Sequence, residues 1–436
     1  MDYTRIKEQF QKGDIKQQHL EYEVFRQLFK KNREKVAEAC SIAAKIRCEV
    51  LEEKTGKQLN IIKRSEIDTS ALLGDSTILP GIEMRIGAAL IPMGVAGPIK
   101  VNGQYANGEY YIPLATNEAA LIAGVQRGIK AINMAGGINT LVRYDGMARA
   151  PMIQAPDIYE AAKFIKRVEN EQAELVQDFN HYVKDPFVRL EKIDPYQIGV
   201  KVILRLRYIT GDAMGMNGAT KASADIIRAL LQQLPGWKLI TISSNVCSDK
   251  KAAHINVLNG RGKSVETEVF IPEEILATVF KEGVTSRSVE KLVYHKCYLS
   301  SCFSGTISGF NVNTTNAITA FFAATGQDLA QVITSAACFI QAEALDDGLL
   351  FTASLPSLEV ATIGGGSMFG TAREALDLID CAGFGKSLDE DNVHVKRLAE
   401  LVAAAVTALD LNTACAQAAG YEMADSHVRL ARGEKE

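Results

Sequence analysis

Between residues 198 and 244 the chain spells out a strand, a glycine-bearing turn, a helix and a second strand in immediate succession. IGVKVILRLRYIT alternates apolar and basic residues, as suits a strand with one buried face. Gly211, Gly215 and Gly218 punctuate GDAMGMNGATKAS, whose backbone amides could approach a diphosphate at the start of the following helix. An ordinary tight strand-to-helix turn has the same composition, and Asp212 would repel a phosphate placed beside it. The spacing is not GxGxxG, the fingerprint of a Rossmann fold. With the charged helical run IYEAAKFIKRVENEQAELVQDF ahead of it and the apolar KLITISS behind, the segment 150–251 reads as a small α+β lobe.

The flanks have a different texture. Residues 81–149 hold short strands and turns that lead into a helix expected to begin near Thr116, whose hydroxyl could cap the first turn. Leu121, Val125, Ile129 and Ile132 share one face of it, Arg127 and Lys130 project from another, and Gly136-Gly137 can end it. Residues 252–436 alternate apolar helices with glycine-rich turns and show no repeat of fixed period. The small lobe is therefore expected to be inserted into a large domain made of 81–149 and 252–436. Residues 1–80 are rich in Lys, Glu, Gln and Leu with helical periodicity up to Gly56, which predicts a helical N-terminal lobe.

Composition narrows the class of function. A formal net charge of −4 over 436 residues gives no electrostatic case for nucleic acid or an anionic membrane as partner. The N-terminus is charged from its second residue, and apolar stretches such as Ala317 to Ala324 are broken before they could cross a bilayer, so neither a signal peptide nor a span is expected. Eight cysteines stand singly, without CxxC or zinc-like spacing, and read as reduced thiols of a cytoplasmic protein with no metal.

Several isolated residues have the chemistry of an active site, and each also has a plainer reading. Asp249, Lys250 and Lys251 follow an apolar strand; they are either a solvated turn or a cation held beside carboxylates to stabilise an oxyanion. Glu118, expected in the first turn of its helix, is either a dipole-favoured residue or a proton donor. Asp328, between small and apolar neighbours, is either paired or poised for function. His427, nine residues from the end, is either incidental or an acid for a leaving group.

The runs PMGVAGP, PLATNEA, GDAMGMN, SDKKAAHIN, FNVNTTNAITAFFAATGQDLAQ, PSLEVATIGGGS and DSHVRLAR, spread over about residues 81 to 432, resemble the successive signature blocks of the 3-hydroxy-3-methylglutaryl-CoA reductase family, in family order. The N-terminal lobe and short tail resemble the eukaryotic and archaeal type. The resemblance implies an α+β fold: a large α/β substrate domain carrying an inserted ferredoxin-like cofactor domain that is not Rossmann. It implies reduction of an acyl-CoA thioester in two hydride steps, with Lys250 stabilising the oxyanion, Glu118 supplying a proton, Asp328 coupling the two and His427 protonating the coenzyme A thiolate. Arg149, Ser243, Asn245, Asp249, Lys251, Lys296 and Asn316 match positions that hold the hydroxymethylglutaryl group, and Arg127 and Lys130 would meet coenzyme A. Asp212, Met216 and Asn217 fall on the cofactor loop. A homodimer, or an assembly of dimers, with active sites between subunits is implied too.

Some positions depart from the family pattern: Asn313 replaces a histidine, Gly124 and Gln126 replace a serine and an asparagine near coenzyme A, and EMRIG replaces ENVIG. They leave room for a different carboxylated acyl-CoA. A catalytically silent homologue is disfavoured, because all four catalytic positions are filled. In KDPFVRLEK, Asp185 and Pro186 stand where NADPH-using members carry serine and arginine. Aspartate repels a 2′-phosphate, so NADH is expected over NADPH.

Overall fold

The computed structural model describes residues 2–65, 67, 82–281, 283–388 and 393–431. At the N-terminus, α1 (Asp2–Lys12), α2 (Leu20–Phe29) and α3 (Val36–Thr55) pack around Ile6, Leu20, Val24, Ala43 and Ile46. Gly56 ends α3 with φ +67°, its amide returning to Glu52 O, the left-handed cap that only glycine adopts without strain. Buried Arg47 pairs with Glu21 and donates to Arg85 O at 3.1 Å, tying these helices to the chain that follows.

A mixed sheet forms the large domain. β1 (Met93–Gly103) and β2 (Asn107–Ala115) make an antiparallel hairpin, and β1 runs parallel to β3 (Ile138–Arg149). Beyond β3, the later strands β8 (Gly262–Pro272), β11 (Gly348–Leu358), β10 (Cys338–Leu345) and β9 (Gly309–Phe310) complete the order β2-β1-β3-β8-β11-β10-β9. The helix expected at Thr116 begins later. Residues as far as Ala115 pair with β1, Ala120 turns the chain at φ +70°, and α4 runs from Leu121 to Met134. The Thr116 hydroxyl accepts the Glu118 amide at 2.9 Å, so Glu118 stands in a loop and not in a helix's first turn.

β3 serves two sheets. Its first part pairs with β8, while Met147–Arg149 pairs with β6 (Lys201–Ile209). β4 (Met152–Gln154) continues along the same edge of β6, β5 (Arg189–Ile198) lies on the other edge, and β7 (Lys238–Thr241) pairs with β4. The order β7-β4-β6-β5, all antiparallel, with α5 (Ile158–Asn170) and α6 (Gln172–Asn180) after β4 and α7 (Met216–Gln232) after β6, is a β-α-β-β-α-β arrangement of the ferredoxin-like kind. Its own core includes Phe164, Val168, Leu204, Leu206 and Ile226.

The long helix Val393–Ala418 is apolar and long enough to cross a membrane, but 94% of its apolar window is buried inside the protein, where α4 and the sheet cover it. A Cβ on Gly128 of α4 would meet Ala408 O at 1.9 Å, so only glycine permits this approach. The helix's polar residues hold loops. Glu400 accepts the amides of Gln104, Tyr105 and Ala106, Thr407 shares a hydrogen bond with Thr267, and Asp410 accepts from Val312 N, Asn313 N and the Thr314 hydroxyl. Burial is the main cause that pushes the Asp410 carboxyl up to about 6, against the hydrogen bonds that lower it.

A carboxyl whose pKa is raised on folding contributes stability that is fully present below the unfolded value, near 4, and is lost as pH rises through about 6. Asp410→Asn, uncharged throughout, is therefore expected to lose less thermal stability relative to the parent at pH 7.5 than at pH 4.5. Equal losses at both values would refute the assignment.

Candidate active site

Lys250 Nζ stands 2.8 Å from Asp328 Oδ2 on the wall of a cavity. The hydrogen bond to Asp328 raises the Lys250 pKa against the opposing effect of burial, so the ammonium persists through neutral pH. Lys250 lies in a turn that leaves β7 and passes through a short 3-10 segment, Asn245–Cys247; Ser248 and Lys250 both have left-handed backbones, φ +52° and +55°. Asp249, between them, fixes the turn: its carboxylate accepts Gln331 Nε2 at 2.8 Å and faces Arg261 at 3.1 Å and Arg149 at 3.7 Å. Burial works to raise the Asp249 pKa, but the Gln331 hydrogen bond and the cations Arg261, Arg149 and Lys250 outweigh it and hold the carboxylate ionised.

Asp328 comes from the end of the helix Thr314–Thr325. That helix stops at Gly326, φ +66°, where a Cβ would meet Gly366 O at 2.3 Å. Asp328 then caps the next short turn, accepting Ala330 N at 3.1 Å. The close crossing brings the segment Gly364–Gly366 against the acid. Its three consecutive glycines are visible in the sequence as IGGGS, yet residue patterns alone give them no role; here Gly364 (φ +85°) and Gly365 (φ +56°) face open space on the cavity wall.

The cavity, about 570 Å³, is lined by Lys250, Asp249, Asp328, Arg149, residues 213–218 and the Gly364–Ser367 segment. Arg149, at the end of β3, donates to Thr220 Oγ1 at 2.6 and 3.0 Å and to Ser243 Oγ at 2.6 Å, which fixes its guanidinium. On the opposite wall, Gly215 turns into α7 with φ +87°, and a Cβ there would strike Thr210 at 2.2 Å. Backbone thus meets the cavity at a helix start, the kind of cradle that a dinucleotide's phosphates need. Asn217 is exposed on this wall and Met216 is buried beneath it.

Asp212 is engaged elsewhere. It is buried, and its carboxylate accepts Val395 N at 2.9 Å and Gly385 N at 2.7 Å, so it anchors the loop to the start of the long helix. Asp185 holds its own turn through Phe187 N, and its Oδ2 lies 3.6 Å from where a Cβ on Gly218 would stand. The stretch read as a cofactor selector is thereby set beside the glycine loop.

Other predicted residues are not gathered here. Lys251 is exposed, its Nζ on Asp249 O at 3.1 Å; Asn245 starts the 3-10 segment. Lys296, on a π-helical turn, and Asn316, on Thr314–Thr325, are half-buried and outside the cavity's lining. Glu118 lines a second cavity, about 390 Å³, with Gly124, Arg127, Asn313, Asn412 and Glu422. Arg127 donates to Asn412 Oδ1 at 2.6 Å, reaches Glu422 at 3.3 Å and covers the Phe280 ring; Lys130 is exposed on the same helix. His427 belongs to the helix Glu422–Ala431, and its side chain lies outside the described residues.

The hydroxymethylglutaryl-coenzyme A reductase family profile matches residues 43–432. The chain is 42% identical over 394 residues to the 3-hydroxy-3-methylglutaryl-coenzyme A reductase of Aeropyrum pernix, covering 90% of each, and 39% identical over 399 residues to that of Pyrococcus abyssi, covering 90% of this chain and 93% of the relative. Among solved structures, the class II reductase of Streptococcus pneumoniae bound to NADPH in open conformations superposes with a TM-score of 0.58 at 18% identity, over 85% of this chain and 96% of that one, a likeness of fold. The match over most of the length, at this level of identity, makes the chain a member of the hydroxymethylglutaryl-coenzyme A reductase family.

Proposed function

We propose that the protein reduces 3-hydroxy-3-methylglutaryl-CoA to mevalonate and free coenzyme A, the step that commits carbon to isoprenoids. The observation that carries this is the Lys250–Asp328 pair, set at 2.8 Å on the wall of a cavity that also holds a glycine-rich helix start and an oriented arginine. Family membership and the relatives' names support the substrate.

Converting a thioester to an alcohol takes two hydrides, which the nicotinamide cofactor supplies when bound. Lys250 places its ammonium against the oxygen that gains charge in each step, and Asp328 keeps that ammonium protonated. Arg149, with Lys251, Ser243 and Asn245, suits a carboxylate and a hydroxyl; Lys296 and Asn316 are assigned to the same acyl group. Arg127 and Lys130 suit the phosphates of coenzyme A. His427 protonates the departing thiolate, and Glu118 donates a proton to the aldehyde oxygen. Because Glu118 and Lys250 line separate cavities of one chain, the acid that meets Lys250 is Glu118 of the partner subunit, in a homodimer.

Lys250→Ala is expected to reduce turnover of hydroxymethylglutaryl-CoA about 100-fold or more while leaving the melting temperature within a few degrees. Near-parental turnover would remove Lys250 from the mechanism. Lack of activity of the parent with this thioester, alongside activity with another, would move the assignment to a different carboxylated acyl-CoA.

Mixing Glu118→Gln with Lys250→Ala chains should restore activity in the mixed dimers, each of which contains one site with both parental residues. If neither variant complements the other, the shared site is excluded.

NADH is proposed as the preferred cofactor, on the position of Asp185 beside Gly218. The ratio of kcat/KM for NADH over NADPH is expected above one, and Asp185→Ser with Pro186→Arg should lower it. A parental preference for NADPH would sink this reading.

A further inference from the structure

Beneath the Lys250 cavity lies a buried ion pair to which the mechanism above gives no part. Arg261 is fully buried, and its guanidinium reaches three segments: Nη1 pairs with Glu359, while Nη2 faces Asp249 at 3.1 Å and lies against the Met216 sulfur. Glu359 is buried as deeply. It stands one residue beyond β11, on the stretch that leads to the Gly364–Ser367 segment, and its amide donates to Ser335 Oγ at 3.0 Å. One side chain thus touches the turn that carries Lys250, the start of the cofactor-loop helix and the glycine segment's stem.

We propose that Arg261 and Glu359 are positioning residues for the reduction: the pair fixes Asp249 between its two left-handed neighbours and so sets where the Lys250 ammonium stands relative to Asp328 and the cofactor loop.

Charge balance supports this. Arg149, Lys250 and Arg261 face Asp249, Asp328 and Glu359, three cations against three anions, and the pairs interlock through Arg261 and Asp249. Loss of the Glu359 charge leaves Arg261 to Asp249 alone, which pulls on the residue next to Lys250. Stability is a weak reason to keep such a pair, since a buried ion pair contributes little over well-packed apolar side chains. Burial pushes the Glu359 carboxyl up to about 7 against the attraction of Arg261, so the pairing with Arg261 is what favours its charge.

The inference rests on the function proposed above only for its kinetic arm. In Glu359→Gln, which keeps the side chain's shape, kcat should fall about 10- to 100-fold for both the thioester and mevaldehyde, as for a catalytic group displaced by about 1 Å. KM for either substrate should change less than about threefold, and the protein should still melt in one cooperative transition, at a lower temperature because the buried Arg261 keeps only Asp249 as partner. The second arm needs no substrate: competitive acetylation of the lysine amines, which react as the free base, read by mass spectrometry with the distant, exposed Lys130 as internal reference, should show Lys250 several-fold more reactive in Glu359→Gln. Parental kcat with unchanged Lys250 labelling overturns the proposal, and so does a fall in kcat matched by a rise in KM and a collapsed melt, which marks a purely structural pair. If Glu359→Gln does not fold, Glu359→Asp, which keeps the charge and withdraws it by one methylene, takes its place with the same two readouts and the same two overturning results. A parent inactive with hydroxymethylglutaryl-CoA counts against the proposed substrate, while the labelling still decides the positioning role.

Discussion

The helix Val393–Ala418 carries Glu400, Thr407 and Asp410 into an apolar core, where each has to find partners within the chain. Glu400 gathers three successive amides of the turn between β1 and β2, and Asp410 gathers two amides and a hydroxyl at the start of the helix that leads to Asp328. The same helix offers Asn412 to Arg127, and near its start the amide of Val395 is taken by Asp212 of the glycine loop before α7. Both cavities are thus referenced to one rigid element. A shift of that helix along its axis would move Asp328, the glycine loop and the Arg127 wall together.

Against this frame the turn 245–251 is a local exception. Two non-glycine residues in the left-handed region cost on the order of 1–3 kcal/mol each, and such a conformation persists only where its surroundings over-determine it. Asp249 supplies the over-determination with Gln331, Arg261 and Arg149 as partners, one from the segment after Asp328 and two from the strands' ends. The strained residue Lys250 therefore cannot relax without breaking contacts to the very groups that line its cavity. For the role proposed for Lys250, such rigidity would serve preorganisation, since an ammonium already in place needs no rearrangement as charge develops.

How much of this could be read from the residues depended on the distance between partners. The inserted lobe was legible because its strand, glycine turn, helix and strand are consecutive, and Gly56 and the Gly136-Gly137 pair mark helix ends for purely local reasons. The start of α4 was not, because β2 is extended to Ala115 by pairing with β1, a tertiary effect that overrides the capping chemistry of Thr116. Asp212 is conspicuous in its motif, but the amides it holds lie 173 and 183 residues further along the chain. The long helix reads as merely apolar; that its few polar residues are ties to distant loops depends on partners 96 to 296 residues away. Gly124 is likewise opaque in sequence, whereas in the fold a Cβ there would come within 2.9 Å of Asn412 Nδ2, the amide that orients Arg127. Serine at that position would need Asn412 to move.

The separation of Glu118 from Lys250 has a consequence for assembly. A proton donor and an oxyanion-stabilising cation have to reach the same oxygen, within about 3 Å of it, for both to act in one step. In a single chain they face different cavities, and the loop that carries Glu118 is fixed at its base by the β1–β2 hairpin and α4. In the proposed homodimer, a second copy seated against the hairpin would bring the two groups together without rearranging either chain. The hairpin is suited to such a contact: Leu90, Met93 and Val95 are 76%, 48% and 53% exposed along its leading edge, a row of apolar side chains that water solvates poorly. In the homodimer proposed above, an interface there would bury this apolar surface and bring Glu118 toward the neighbouring chain's cavity, so association and the meeting of Glu118 with Lys250 would depend on one stretch of chain.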